Sequence, residues 1–132
     1  MRLVRLLMCV LLARPCCATV AAHHSQSGAY IVAKDIRIEG VIAQVTIRSP
    51  HSFVHVDAKR EQGDVVRWVA EWGSAAHLGQ QGIKPGTLKP GDNVIVGGHP
   101  SRNPDDHRMV IAFIERPSDG WSWGHKTGEV VD

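Results

Sequence analysis

The 132-residue sequence predicts an all-β domain with one short helix, and three observations carry that reading. From Ile36 onward, apolar and polar residues alternate at period two in short runs, with turn-forming residues between them. Only one segment, Ser74 to Gln81, breaks the alternation with residues that favour helix. The composition, 43% hydrophobic and 21% charged, is that of a globular chain long enough to bury one core. It excludes wholesale disorder, collagen-like repetition and a multi-span membrane protein.

In the first strand, Val41, Ala43, Val45 and Ile47 fall on one face and Gln44, Thr46 and Arg48 on the other, with Gly40 as a bulge or bend before it. After Ser49-Pro50, a second strand alternates Val54, Val56 and Ala58 with Phe53, His55 and Asp57. Arg60 to Gly63 turns the chain, and Val66, Trp68, Ala70 and Trp72 alternate with Arg67, Val69 and Glu71 in a third. Ser74 is placed to cap a short helix that Gly79 or Gly82 would stop. Lys89-Pro90-Gly91-Asp92 then turns into a fourth strand at Val94 to Val96. Met109 to Ile114 forms a fifth after the polar loop Ser101 to His107.

Three strands, a helix and two strands within residues 36–116 match a small five-stranded Greek-key barrel of the OB type, which largely removes free edges. An immunoglobulin-like sandwich needs about seven strands, more than this count. Residues 117–132 show no strand or helix pattern and read as a C-terminal tail that either packs back partially through Trp121 or Trp123 or is frayed.

Residues 1–22 read as a cleavable secretory signal: Arg2 and Arg5, an apolar run from Leu6 to Ala13, then small residues up to Ala22. That run is far shorter than the roughly 20 residues that span a bilayer, so no membrane span is expected after cleavage. The expected location is the periplasm or the exterior. Arg14-Pro15 upstream of Cys16-Cys17 does not fit a lipid-attachment site. Cleavage removes three arginines and no acid, so the 15 basic residues become 12 against 13 acidic ones. It also removes all 3 cysteines, and the mature domain must rest on its core without disulfides. All 8 histidines remain, beginning with a 23–35 leader.

The new amino terminus is the first candidate site. Cleavage after Ala22 leaves His23 first, with α-amine and imidazole able to chelate one ion. Cleavage after Ala21 gives Ala22-His23-His24, where a third-position histidine suits square-planar Cu²⁺ or Ni²⁺. The amine, with a pKa near 8, lets metal compete with protons at neutral pH. His51, where a turn feeds the second strand, can face a folded-back leader and is the third candidate ligand. His55 shares its face but lies about 13 Å along the strand, so the two cannot hold one ion alone. His77, His99, His107 and His125 read as surface residues. Without cysteine, the commonest zinc architectures are absent.

There is no Gly-x-Ser-x-Gly elbow, phosphate loop or His-Glu-x-x-His helix. Arg67 and Glu71 share a strand face and read as making a cross-strand pair or meeting solvent, rather than Glu71 serving as a catalytic acid. A near-neutral mature chain whose one clearly outward aromatic is Phe53 argues against nucleic acid.

Ala22-His23-His24-Ser25, Gly40 to Val45, Pro50-His51, Glu71-Trp72-Gly73-Ser74 and Leu88-Lys89-Pro90-Gly91-Asp92 together resemble the DUF6152 family over residues 22–115. The resemblance implies small exported proteins of a Gram-negative periplasm with an OB-like barrel, and no established activity. Ser49 stands where that family usually has Asn, and the Trp121-Ser122-Trp123 segment lies outside its pattern. The leading expectation is a periplasmic, non-enzymatic binding protein holding copper through His23, His24 and His51. The alternative is a metal-independent module that captures a periplasmic protein or small ligand on a barrel face around Phe53 and Trp68.

Overall fold

The computed structural model describes residues 26–125. The segment expected to be a signal, His23, His24 and residues 126–132 lie outside them. A short helix, α1 (Gln26–Ala29), precedes β1 (Ile36–Thr46), β2 (Ser52–Lys59) and β3 (Val65–Trp72). Then come α2 (Ala75–Gln80), β4 (Asn93–Pro100), a 3-10 turn at Pro104–Asp106, β5 (Arg108–Arg116) and β6 (Trp121–Gly124). β1 pairs antiparallel with β2 and β4, β2 with β3, and β4 with β5. A parallel pairing of β3 with β5 closes the five strands into a barrel. That ring, with the helix between β3 and β4, is the OB-like barrel expected from the strand order.

Alternation decides which side chains fill it. Val54, Val56, Ala70, Val94, Val96, Met109 and Ile114 are buried on the inner face, and Leu78 of α2 joins them. Ser74 caps α2 by accepting a hydrogen bond from the His77 amide at 3.2 Å, which fixes where the helix starts and where Leu78 points. Truncating Leu78 would cost about 3 kcal/mol, in line with other buried leucines.

β1 differs from its sequence reading. It begins at Ile36, and its first half turns Ile36, Ile38 and Ile42 inward while Val41 faces out. A bulge at Ala43, between Ile42 and Gln44, then resets the period so that Val45 sits opposite Val54. Gly40 marks a close approach instead of the bulge: a Cβ there would collide with the Asp57 carbonyl of β2.

The segment after Pro117 also differs. Trp121–Gly124 forms β6, antiparallel to the end of β5, and Trp121 and Trp123 pack against the core. Four residues containing one period of alternation gave no strand signal.

The leader is tied down before β1. Tyr30 bridges Ser101, the Ile31 amide donates to the Pro100 carbonyl at 2.9 Å, and Arg102 Nε donates to the Ser27 carbonyl at 2.8 Å. This strap leaves Tyr30 only 4% exposed.

Candidate functional site

The turn before β2 places His51. Ser52 is fully buried; its Oγ accepts from the Arg48 amide and donates to the Arg48 carbonyl, both at 3.1 Å. The Ser52 amide donates to Gly73 O, and the Ala75 amide to Arg48 O, so the turn is clamped to the β3–α2 junction. The Ser49–Pro50 bond is cis. His51 thereby stands beside the end of β3.

There it meets Glu71. The register sets Glu71 between Phe53 of β2 and Val110 of β5, and His51 is its diagonal neighbour on the outer face. His51 Nδ1 lies 2.9 Å from Glu71 Oε1. Tyr30 donates its hydroxyl hydrogen bond to Oε2 of the same carboxylate, and Arg108 Nη2 lies 3.7 Å from that oxygen. A carboxylate accepts, so Nδ1 supplies the proton and Nε2 of the neutral ring keeps its lone pair. The histidine side chain is 48% exposed, leaving that nitrogen accessible, whereas Glu71 is 15% exposed.

Burial, then the hydrogen bond and charge of Glu71, push the Tyr30 phenol up to about 12, against a smaller opposing effect of Arg108. Tyr30 therefore stays protonated and keeps donating. The constellation is an oriented imidazole, a carboxylate that orients it and a tyrosine that carries the leader to both.

The cross-strand pair expected for this face forms at Arg67, and its partner is on β2. Arg67 lies opposite Asp57 and forms a two-pronged pair with it at 2.7 Å on each prong. That guanidinium, outweighing a slight opposing burial, holds the Asp57 carboxyl below its usual range. Sequence spacing gave the shared face of Arg67 and Glu71, but not which residues of β2 and β5 stand opposite.

The other candidates are scattered. His55 sits between Gln44 and Val69, half-buried, and lies away from His51 along β2. Phe53 is opposite Glu71, with the Arg48 guanidinium 5.3 Å from its ring centre. Trp68 is opposite Val56, on the inward side of the sheet, edge to face with His107 at 5.5 Å. Phe53 and Trp68 thus do not share a face. His99 Nδ1 is 3.2 Å from both Asp35 Oδ1 and the Lys34 carbonyl. Among the described residues, no three His, Cys, Asp or Glu side chains are grouped to hold a metal ion.

Sequence reasoning missed Tyr30 altogether, because a tyrosine in an unpatterned leader gives no periodic signal. The placement of Glu71 between two tryptophans was the available hint, since a carboxylate in so apolar a stretch needs partners.

A closed five-stranded barrel with a capping helix and an outward carboxylate–imidazole pair at one end defines a small OB-like domain. The chain belongs to DUF6152, a family of unknown function, whose model matches residues 12–110. Among solved structures it is similar to Rim1, a mitochondrial single-stranded DNA-binding protein from S. cerevisiae. The identity is 13%, covering 62% of this chain and 91% of that one, with a TM-score of 0.48. Comparison with curated proteins gives no match.

Proposed function

We propose that this is an exported periplasmic protein that binds a metal ion, copper first, through His51 and the amino-terminal His23 or His24. The observation that carries the reading is the Glu71 bridge: one carboxylate holds both His51 Nδ1 and the hydroxyl of Tyr30. A histidine whose other ring nitrogen is bound by a carboxylate is the usual form of a metal-ligating imidazole, fixed in tautomer and orientation. Tyr30 ties the leader to the same carboxylate. His24 precedes it by six residues, a chain length that spans at most about 21 Å, so an amino-terminal imidazole can reach His51 Nε2. Nitrogen donors from two imidazoles and an α-amine suit Cu²⁺.

Calorimetric titration of the processed protein with Cu²⁺ tests this. Tight binding at one ion per chain is expected, lost when His23, His24 and His51 are all replaced by Ala. Unchanged affinity in that triple variant would overturn the reading. A partner-binding face built jointly from Phe53 and Trp68 has no comparable support, since the two lie on opposite faces of the sheet.

A further inference from the structure

Two imidazoles and an α-amine give Cu²⁺ three nitrogen donors, whereas the ion favours a square-planar or tetragonal arrangement with four donors in the plane. One position is open. His51 lines a cleft of about 370 Å³, together with Glu71, Gly73, His77, Ile111 and Trp123 among others. Two of those side chains could donate to an ion there, Glu71 and His77.

Glu71 is already engaged, one oxygen with His51 Nδ1 and the other with the Tyr30 hydroxyl. His77 is not. Its amide is used in capping α2, donating to Ser74 Oγ at 3.2 Å, but the residue is exposed and its ring makes no hydrogen bond among the described residues. That ring leans over Gly73: a Cβ there would stand 3.4 Å from His77 Cδ2, the ring carbon bonded to Nε2. Gly73 is joined in turn to the residue after His51, its carbonyl accepting from the Ser52 amide at 3.1 Å. His51 and His77 therefore flank one glycine, which places no side chain between them. The rings of His99 and His107 are engaged elsewhere, with Asp35 and with Arg60, and neither lines this cleft. Among the described residues no three His, Cys, Asp or Glu side chains are grouped to hold an ion, so His51 and His77 make half a square that needs the amino terminus to complete it.

We infer that His77 is the fourth in-plane ligand of the copper site, which puts the ion in the cleft beside Trp123. This ligand role rests on the copper reading and adds to it a donor from α2. A site on the leader alone, with Cu²⁺ held by the amine, deprotonated amides and a third-position histidine, needs neither His51 nor His77.

The test is calorimetric titration of the processed protein with Cu²⁺, paired with pulsed electron paramagnetic resonance, which counts coordinated imidazoles through their remote ring nitrogens. Since losing a group that merely orients a ligand weakens a metal site by about 10- to 100-fold, losing a ligand in His77→Ala should weaken binding at least about tenfold. The spectrum should lose one imidazole. His77→Gln, which keeps a polar side chain at this exposed helix position, should do the same, and His99→Ala should bind as the parent does. Parent affinity and imidazole count in both His77 variants, beside loss of binding when His23, His24 and His51 are all replaced, would overturn the role of His77 and leave the copper reading standing. Unchanged affinity in that triple variant would overturn both, and an equal loss in His99→Ala would overturn the assignment to His77.

Discussion

Glu71 and Arg116 have the same side-chain exposure, 15%, and opposite charge, and they lie at opposite ends of β5. Their surroundings differ in kind. Arg116 spends four of its five N–H groups within the protein: Nε and Nη2 on Asp119, and Nη1 on the Thr87 carbonyl and Asp92 at 2.8 Å each. Its guanidinium also lies 5.6 Å from the centre of the Trp121 ring. It welds the turn before β4, the end of β5 and the start of β6 into one unit. Glu71 is held by the buried Tyr30 and by two groups that themselves reach outward, His51 and Arg108, both close to half exposed. Equal burial therefore does not imply equal purpose. Arg116 ties three segments together, whereas Glu71 orients an accessible imidazole, the feature on which the proposed metal site rests.

The largest expected effect comes from breaking the saturated end. Arg116→Met keeps the apolar stem but strands Asp92, and should cost about 3 kcal/mol in urea unfolding. A loss under about 1 kcal/mol would erase the distinction between the two ends. Glu71→Gln keeps the shape and one acceptor oxygen, and should cost about 1 kcal/mol by the same measurement.

The two ends should also respond to opposite extremes of pH. Burial alone would raise Asp92, but the Arg116 hydrogen bond and the Lys89 amide outweigh it and hold that carboxyl low. Arg116, followed by the Trp121 amide, does the same for Asp119. Their contribution is complete above the ordinary carboxylate value near 4 and is lost as pH falls through the depressed values. In acid titrations followed by circular dichroism, Arg116→Met should flatten that loss. Tyr30 is shifted the other way, up to about 12, so its contribution is complete below about 10 and lost as pH rises through the folded value. Tyr30→Phe should flatten the alkaline limb and leave the acid one unchanged. The smallest effect belongs to the exposed Asp57–Arg67 pair. Arg67→Ala should leave the urea midpoint almost where it is, because an exposed pair is screened by solvent.

The barrel was legible because a half-buried strand writes its face into the sequence. Val54, Val56 and Ala58 alternate without interruption, and Ser74 marks the helix start. β1 was misread where alternation breaks: the bulge at Ala43 moves one extra residue into the strand, so Val41 and Val45 face opposite ways. Such a shift is set by pairing with β2, which no local window contains. The site was legible only in its histidine. His51 announced itself by its turn and the family resemblance, but Glu71 meets it from 20 positions away, and Arg108 and Tyr30 reach Glu71 from 37 and 41 positions away. Those contacts exist because β3 pairs with both β2 and β5 and because the leader crosses the barrel end, and periodicity carries neither fact.

The central claim, that the Glu71 end binds and the Arg116 end supports, is tested most directly by Cu²⁺ affinity in Glu71→Gln and Arg116→Met, titrated beside the processed parent under conditions where all three are folded. Loss of an orienting carboxylate typically weakens a metal site by about 10- to 100-fold, and that is the expected result for Glu71→Gln, with Arg116→Met unchanged. Equal affinity in all three proteins, or a loss confined to Arg116→Met, would contradict it.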